Sequence, residues 1–158
     1  MTSILQILPK LNSGGVERGT IEMASAITKS GFKSYVISAG GKMVAQLKNT
    51  NTQHIQLDVA SKNPVKILFN AYKIKQIIKE HHIDLVHARS RVPALSAYFA
   101  CKNSKTKFIT TFHGVYSGKS KLKKTYNSIM LKGEKIITVS NFIKNHIKTN
   151  YNFTDNKK

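Results

Sequence analysis

The chain carries 26 Lys and Arg against 7 Asp and Glu in 158 residues, a formal charge of +19 with a pI near 10.2. That length supports one full hydrophobic core and not two ordinary domains. Only Arg18, Arg89 and Arg91 among the cations are Arg. Arg is the better fork for phosphates and base edges, so the charge fits an anionic partner or simply a lysine-rich solvated surface. Cys101 is the one cysteine, so no internal disulfide forms and a reducing cytosol fits. It sits in an apolar helical stretch and reads as a small core residue rather than a nucleophile. No basic segment precedes the first apolar run, which Pro9 cuts short, so no signal peptide is expected. No run approaches the ~20 apolar residues of a membrane span. Membrane contact, where it occurs, is expected to be peripheral.

Residues 3–8 alternate poorly and read as a strand buried on both faces. Gly14-Gly15 follow, and a helical pattern opens at Val16. Val16, Thr20, Met23, Ala24 and Ile27 recur at helical spacing, with Gly31 as the stop. Residues 33–38 form a second strand, Gly40-Gly41 a loop, and Val44 with Leu47 a short helix. Residues 54–58 read as the third strand. Asn63-Pro64 is an N-cap with a first-turn proline, opening a helix with Ile67, Leu68, Ala71, Ile74, Ile77 and Ile78 on one face. Residues 84–88 are the fourth strand, 93–102 a helix and 108–112 the fifth strand. Leu122, Tyr126, Ile129 and Met130 mark a helix whose other side is basic. Residues 135–139 are the sixth strand, and Ser140 caps a helix through Ile143 and Ile147. A polar tail covers 150–158.

Six strand–helix alternations predict an α/β domain: a doubly wound, mainly parallel, six-stranded Rossmann-like sheet in the order 3-2-1-4-5-6. Ligands then bind beyond the C-terminal strand ends, near the switch between strands 1 and 4. A strand, a glycine turn and a helix N-terminus at Gly14-Gly15 make an anion-binding corner there. The run Gly14-Gly15-Val16-Glu17-Arg18-Gly19 has the wrong spacing for the dinucleotide fingerprint, and strand 2 ends without an acid. The phosphate-binding Gly-Lys-Ser/Thr is absent too. Of the seven acids only Glu17 falls at a site loop, which argues against paired-carboxylate hydrolysis. No metal-ligand spacing stands out. His81 and His82 read as solvated helix-end residues, and His87 as a hydrogen-bonded core histidine. His113 ends strand 5 with Gly114 directly after it. It is either a loop histidine held by backbone or a hydrogen-bond partner for a polar ligand over the same cleft. Arg89 and Arg91 flank the end of strand 4, placed for phosphates or for surface ion pairing.

Together the stretches Gly14-Gly15-Val16-Glu17-Arg18, Asp84-Leu85-Val86-His87-Ala88-Arg89-Ser90-Arg91-Val92-Pro93-Ala94, Thr111-Phe112-His113-Gly114-Val115-Tyr116, Tyr126-Asn127-Ser128-Ile129-Met130 and Ile137-Thr138-Val139-Ser140-Asn141-Phe142-Ile143 resemble glycosyltransferase family 4. The likeness is greatest to bacterial members that add sugars to lipopolysaccharide core. The resemblance implies one half of a GT-B fold, the N-terminal half that mainly holds the acceptor. It implies that Gly14 and Gly15, with Glu17 and Gly114, approach the donor phosphates and sugar, and that His113 contacts the donor sugar and helps its transfer. Arg18, Arg89, Arg91, Tyr116 and Ser140 are candidate acceptor or phosphate contacts. Family members retain anomeric configuration and need no bound metal. No cofactor is expected, the nucleotide-sugar being a co-substrate.

Residues 1–150 are expected to be the acceptor-side domain, and 151–158 the start of an interdomain linker. The donor-binding Arg/Lys pair and spaced glutamates of the family have no counterpart here. The lone chain is therefore expected to be inactive unless a separate chain supplies the donor half. The implied partners are a nucleotide-sugar and a lipid-linked glycan acceptor, at the inner face of the cytoplasmic membrane. Lys119, Lys121, Lys123 and Lys124 are the candidate contacts with an anionic membrane surface, each contributing up to ~1 kcal/mol. The alternatives are a non-catalytic remnant or subunit of a split enzyme, and a basic nucleic-acid-binding module. Against the latter, no nucleic-acid-recognition pattern appears, so no specific nucleic acid is expected.

Overall fold

A computed structural model describes residues 1–116 and 120–151. The elements are β1 (Ser3–Ile7), α1 (Gly15–Lys29), β2 (Lys33–Ser38), α2 (Val44–Lys48), β3 (Gln53–Gln56), α3 (Pro64–Glu80), β4 (Leu85–Ala88), α4 (Arg91–Cys101), β5 (Lys107–Phe112), α5 (Lys121–Asn127), a 3₁₀ turn (Ser128–Lys132), β6 (Lys135–Thr138) and α6 (Asn141–Tyr151). The strands form one six-stranded sheet, β3-β2-β1-β4-β5-β6, in the expected order. Every pairing is parallel. β1 lies at the centre, with Ile7 opposite Ile37 on one side and Ala88 on the other.

Helices cover both faces, which is why β1 is apolar almost throughout. Leu5, Ile7, Val86 and Phe112 pack with Ile74 of α3, Ala97 of α4 and Ile143 and Ile147 of α6. Leu8, Leu11 and Val36 pack with Ala24 of α1 and Leu47 of α2. Asn63 caps α3, its side chain accepting from Val65 N and Lys66 N, and Pro64 occupies the first turn. Cys101 is buried in the larger cluster, its thiol pushed up to about 12 first by burial and then by Glu134.

Four details depart from the sequence pattern. Leu68 is 63% exposed, because α3 turns Ile67, Ala71, Ile74 and Ile78 to the core and leaves the ridge through Leu68 outside. Met23 on α1 is likewise exposed. The stripe from Leu122 to Met130 is not one helix. α5 tightens into the 3₁₀ turn at Ser128, burying Ile129 and Met130 while Leu122 stays 84% exposed. The last helix runs on through Asn150 and Tyr151, where the tail was expected to begin. The Tyr151 hydroxyl accepts from Asn127 Nδ2 at 3.0 Å, tying that end to the domain. Residues 152–158 lie outside the described residues.

The segment after β1 is laced to the loop after β2. Ala39 N donates to Pro9 O, Leu11 N to Gly40 O and Met43 N to Leu11 O, at 2.8–2.9 Å. Gly41, at φ +144°, makes this approach possible: a Cβ there would stand against the Leu11 carbonyl oxygen, well inside van der Waals contact. The lacing fixes how the chain enters α1.

Candidate active site

A cavity of about 510 Å³ opens beside the C-terminal ends of β1, β4 and β5. The strand order reverses between β1 and β4, so their loops diverge and leave a crevice. Ser13, Val16 and Glu17 come to the wall from the start of α1, Arg89 and Ser90 from the loop after β4, and His113, Gly114 and Tyr116 from the loop after β5. Lys10 and Asn12 extend it along the β1 loop. The glycine bend and the imidazole therefore share one rim. Gly14 and Gly15 are not wall residues themselves; they make the bend that brings Ser13, Val16 and Glu17 there. Gly14 is the N-cap at φ +130°, a conformation open to glycine without strain. A Cβ at Gly14 would also stand 2.7 Å from Glu17 Oε2. No side chain caps α1, so the first helical N–H groups keep their capacity for an anion.

His113 follows directly on β5 and is half-buried. Its Nε2 is buried with no hydrogen-bond partner among the described residues. Burial, and secondarily Arg89, lower its pKa, so the ring is neutral at neutral pH. A neutral imidazole offers one N–H and one lone pair, suited to bridging hydroxyls or phosphate oxygens.

Arg89 is 6% exposed, and its Nη1 donates to Gln6 Oε1 at 3.1 Å. Gln6 in turn donates through Nε2 to Thr20 O of α1 at 3.1 Å. Gly19 supplies the space, since a Cβ there would lie 3.0 Å from Arg89 Nη2. The Arg89 Nε is buried without a partner among the described residues. Burial lowers the pKa of Arg89 and Glu22 opposes the shift, but a guanidinium stays charged. The wall therefore holds a fixed cation aimed by a strand and a helix. Gln6 and Gly19 escaped the sequence reading. Their signals were a lone polar residue in an apolar strand and a glycine inside a helical pattern.

His87, beneath the loop, is a core residue as expected: its Nε2 lies 2.7 Å from Thr111 Oγ1. Burial, then Arg89 and His113, hold its pKa down to about 3. Arg91 is not in the wall. Its guanidinium lies 4.7 Å from the Tyr116 ring centroid and 5.3 Å from that of Tyr126, and it donates to Asn127 Oδ1. It braces Tyr116, whose ring is a wall element. Arg18 is exposed outside the wall, and Ser140 is the N-cap of α6, accepting from Ile143 N at 3.3 Å. Lys123 and Lys124 are exposed on α5; Lys119 and the Lys121 side chain lie outside the described residues. Among the described residues no three His, Cys, Asp or Glu side chains cluster as for a metal ion. No helix there is long and apolar enough to cross a membrane.

The family model described as Glycosyltransferase Family 4 matches residues 13–157. The chain belongs to glycosyltransferase family 4. A glycosyltransferase structure from Rickettsia africae ESF-5 is 50% identical, with a TM-score of 0.86, covering 99% of this chain and 41% of its own. WaaB, a lipopolysaccharide outer core galactosyltransferase, is 17% identical with a TM-score of 0.65, over 94% of this chain and 42% of its own. MurG from Acinetobacter baumannii is 14% identical with a TM-score of 0.62, over 87% and 41%. These last two share the fold. No curated protein matches the sequence. The family 4 domain thus spans 41% of the length of its Rickettsia africae relative, and it is the N-terminal, Rossmann-like half of a GT-B fold.

Proposed function

We propose that this domain is the acceptor-side half of a retaining, metal-independent glycosyltransferase that moves a sugar from a nucleotide-sugar to a lipid-linked glycan of the lipopolysaccharide type. One observation carries the reading: the uncapped start of α1, the buried Arg89 and the half-buried His113 line one cavity. The start of α1 faces the donor phosphates, His113 bonds the donor sugar, and Arg89 holds an anionic group of donor or acceptor. The acceptor class follows the sequence resemblance and agrees with the activity of the fold neighbour WaaB. The donor-binding half lies outside these 158 residues, in whichever polypeptide supplies it. Without it the donor stays largely in water, lacking the closure that excludes solvent.

The test incubates the purified chain with labelled nucleotide-sugars and lipopolysaccharide-core acceptor, alone and with the separately expressed second domain of the Rickettsia africae relative. We expect no turnover or donor hydrolysis by the chain alone, and transfer with retained configuration after complementation. His113→Ala should then lower kcat by about twofold to tenfold, the worth of a neutral hydrogen bond. Robust turnover by the lone chain, or complemented transfer untouched by His113→Ala, would overturn the reading.

A further inference from the structure

Segments far apart in the chain meet on Arg91. It opens α4, one residue after the wall residue Ser90. Its guanidinium lies over two rings, those of Tyr116 after β5 and Tyr126 on α5, and donates to Asn127 Oδ1. Asn127 donates in turn through Nδ2 to the Tyr151 hydroxyl, in the last turn of α6, at 3.0 Å. The path Tyr116–Arg91–Asn127–Tyr151 therefore runs from the cavity wall to the far end of α6.

Asn127 is the pivot of that path. It is fully buried, and both ends of its amide are used. Packing alone asks only for an apolar side chain at such a place. A buried amide engaged at both ends adds something else, one fixed geometry among its partners. The backbone is shaped to put it there: α5 tightens into the 3₁₀ turn at Ser128, directly after Asn127.

Tyr116 is what the path holds. Its ring lines the cavity, with the Arg91 guanidinium over it and the buried Phe112 ring 5.3 Å away between centroids. A ring held in this way is a flat amphipathic surface that costs little entropy to use. The C–H face of a sugar ring is the complement of such a surface in a polar cleft. Displacing a contact of this kind by about 1 Å is enough to weaken it.

We propose that Arg91, Asn127 and Tyr151 are positioning residues: they set the angle at which Tyr116 meets a sugar ring of the glycan acceptor. The last turn of α6 thereby governs acceptor binding. The ligand rests on the sugar-transfer reading; the relay from Tyr151 to Tyr116 does not.

The test uses the chain grown with 3-fluorotyrosine, its six tyrosines assigned by single tyrosine-to-phenylalanine variants. The binding probe is delipidated lipopolysaccharide core oligosaccharide. Tyr151→Phe keeps the ring and removes only the hydroxyl that Asn127 meets. We expect it to move the fluorine signal of Tyr116 while those of Tyr72 and Tyr98 stay put. It should weaken oligosaccharide binding by about twofold to fivefold. Tyr116→Ala should weaken binding by about tenfold, and Tyr116→Phe by less than about twofold. In complemented transfer, Tyr151→Phe should raise the acceptor KM by its binding factor and leave kcat alone, a split that general loosening of the fold does not produce. A Tyr116 signal unmoved by Tyr151→Phe overturns the proposal, as does oligosaccharide binding untouched by Tyr116→Ala. A parent chain that binds no oligosaccharide sinks the sugar-transfer reading and the acceptor contact of Tyr116 together. The fluorine signals involve no sugar, so the relay and that reading fail separately.

Discussion

Gly19→Ala sets two known effects against each other. Gly19 lies inside α1, where replacing glycine by alanine ordinarily stabilises by about 1 kcal/mol through backbone entropy. Here the new Cβ would stand 3.0 Å from Arg89 Nη2. The guanidinium must give by a few tenths of an ångström, yet it is 6% exposed and its Nη1 bond to Gln6 is already 3.1 Å. Moving it away from α1 strains a charge-assisted buried bond worth about 1.5–3 kcal/mol. The clash wins, and we expect a net loss of about 0.5–2 kcal/mol. With an m-value of about 2 kcal/mol per molar in urea, the midpoint falls by about 0.3–1 M. The decisive assay is a double-mutant cycle with Arg89→Met, which removes the fork but keeps the stem. In that background Gly19→Ala should recover its ordinary gain of about 1 kcal/mol, giving a coupling of about 1.5–3 kcal/mol. Equal stabilisation by Gly19→Ala in both backgrounds would refute the idea that α1 aims Arg89.

Gly41→Ala should cost more than about 2 kcal/mol, because it combines a φ of +144° with a clash against the Leu11 carbonyl; a change within about 0.5 kcal/mol in urea unfolding would show that the β1 and β2 loops are not interlocked. Arg91→Lys should lower stability by about 1–2 kcal/mol through loss of the planar contact with Tyr116 and Tyr126, whereas exposed Arg18→Ala should stay within about 0.5 kcal/mol; similar thermal shifts for the two would contradict the bracing role. His87 is held to about 3 in the folded state against about 6.5 unfolded, so its contribution is complete above about pH 6.5 and is lost at up to ~1.4 kcal/mol per unit as pH falls towards 3. His87→Asn should flatten that slope between about pH 7 and 5, and parallel slopes in urea titrations would refute the assignment.

The strand order was legible because its signals are local and repeated: apolar runs, Gly14-Gly15, Asn63-Pro64 and a cap at Ser140 each mark an element without tertiary help. The position of His113 beside the cavity was legible for the same reason, since strand ends in a parallel sheet all point to one edge. Arg89 and Arg91 looked alike in sequence, two residues apart at one strand end. What separates them is partners far along the chain: Gln6 on β1 for Arg89, Asn127 for Arg91. Periodicity also misled at α3, because an apolar pattern on both sides of a helix cannot say which side meets the sheet. Leu68 directly follows Ile67, yet a step of about 100° puts it outside. The break between α5 and the 3₁₀ turn carries no glycine or proline, so nothing in the sequence announced it.

The cavity sets a buried cation beside an imidazole, and that pairing can be measured on the chain alone. Burial and then Arg89 both disfavour a charged His113, so Arg89 is the buried cation of the wall while the imidazole stays neutral and bonds in either direction. The ring of His113, followed by NMR, should therefore titrate below the ordinary value of about 6.5. Arg89→Met removes the Coulombic part and leaves the burial, the larger cause. The midpoint should rise in that variant but remain under the ordinary value. A return to the ordinary value would mean that charge, not burial, governs the ring; no response at all would mean that Arg89 does not face it. Either result would separate the two nitrogens, Nε of Arg89 and Nε2 of His113, that now stand unpartnered in one wall. Buried polar atoms of that kind cost about 1–3 kcal/mol each when unmet.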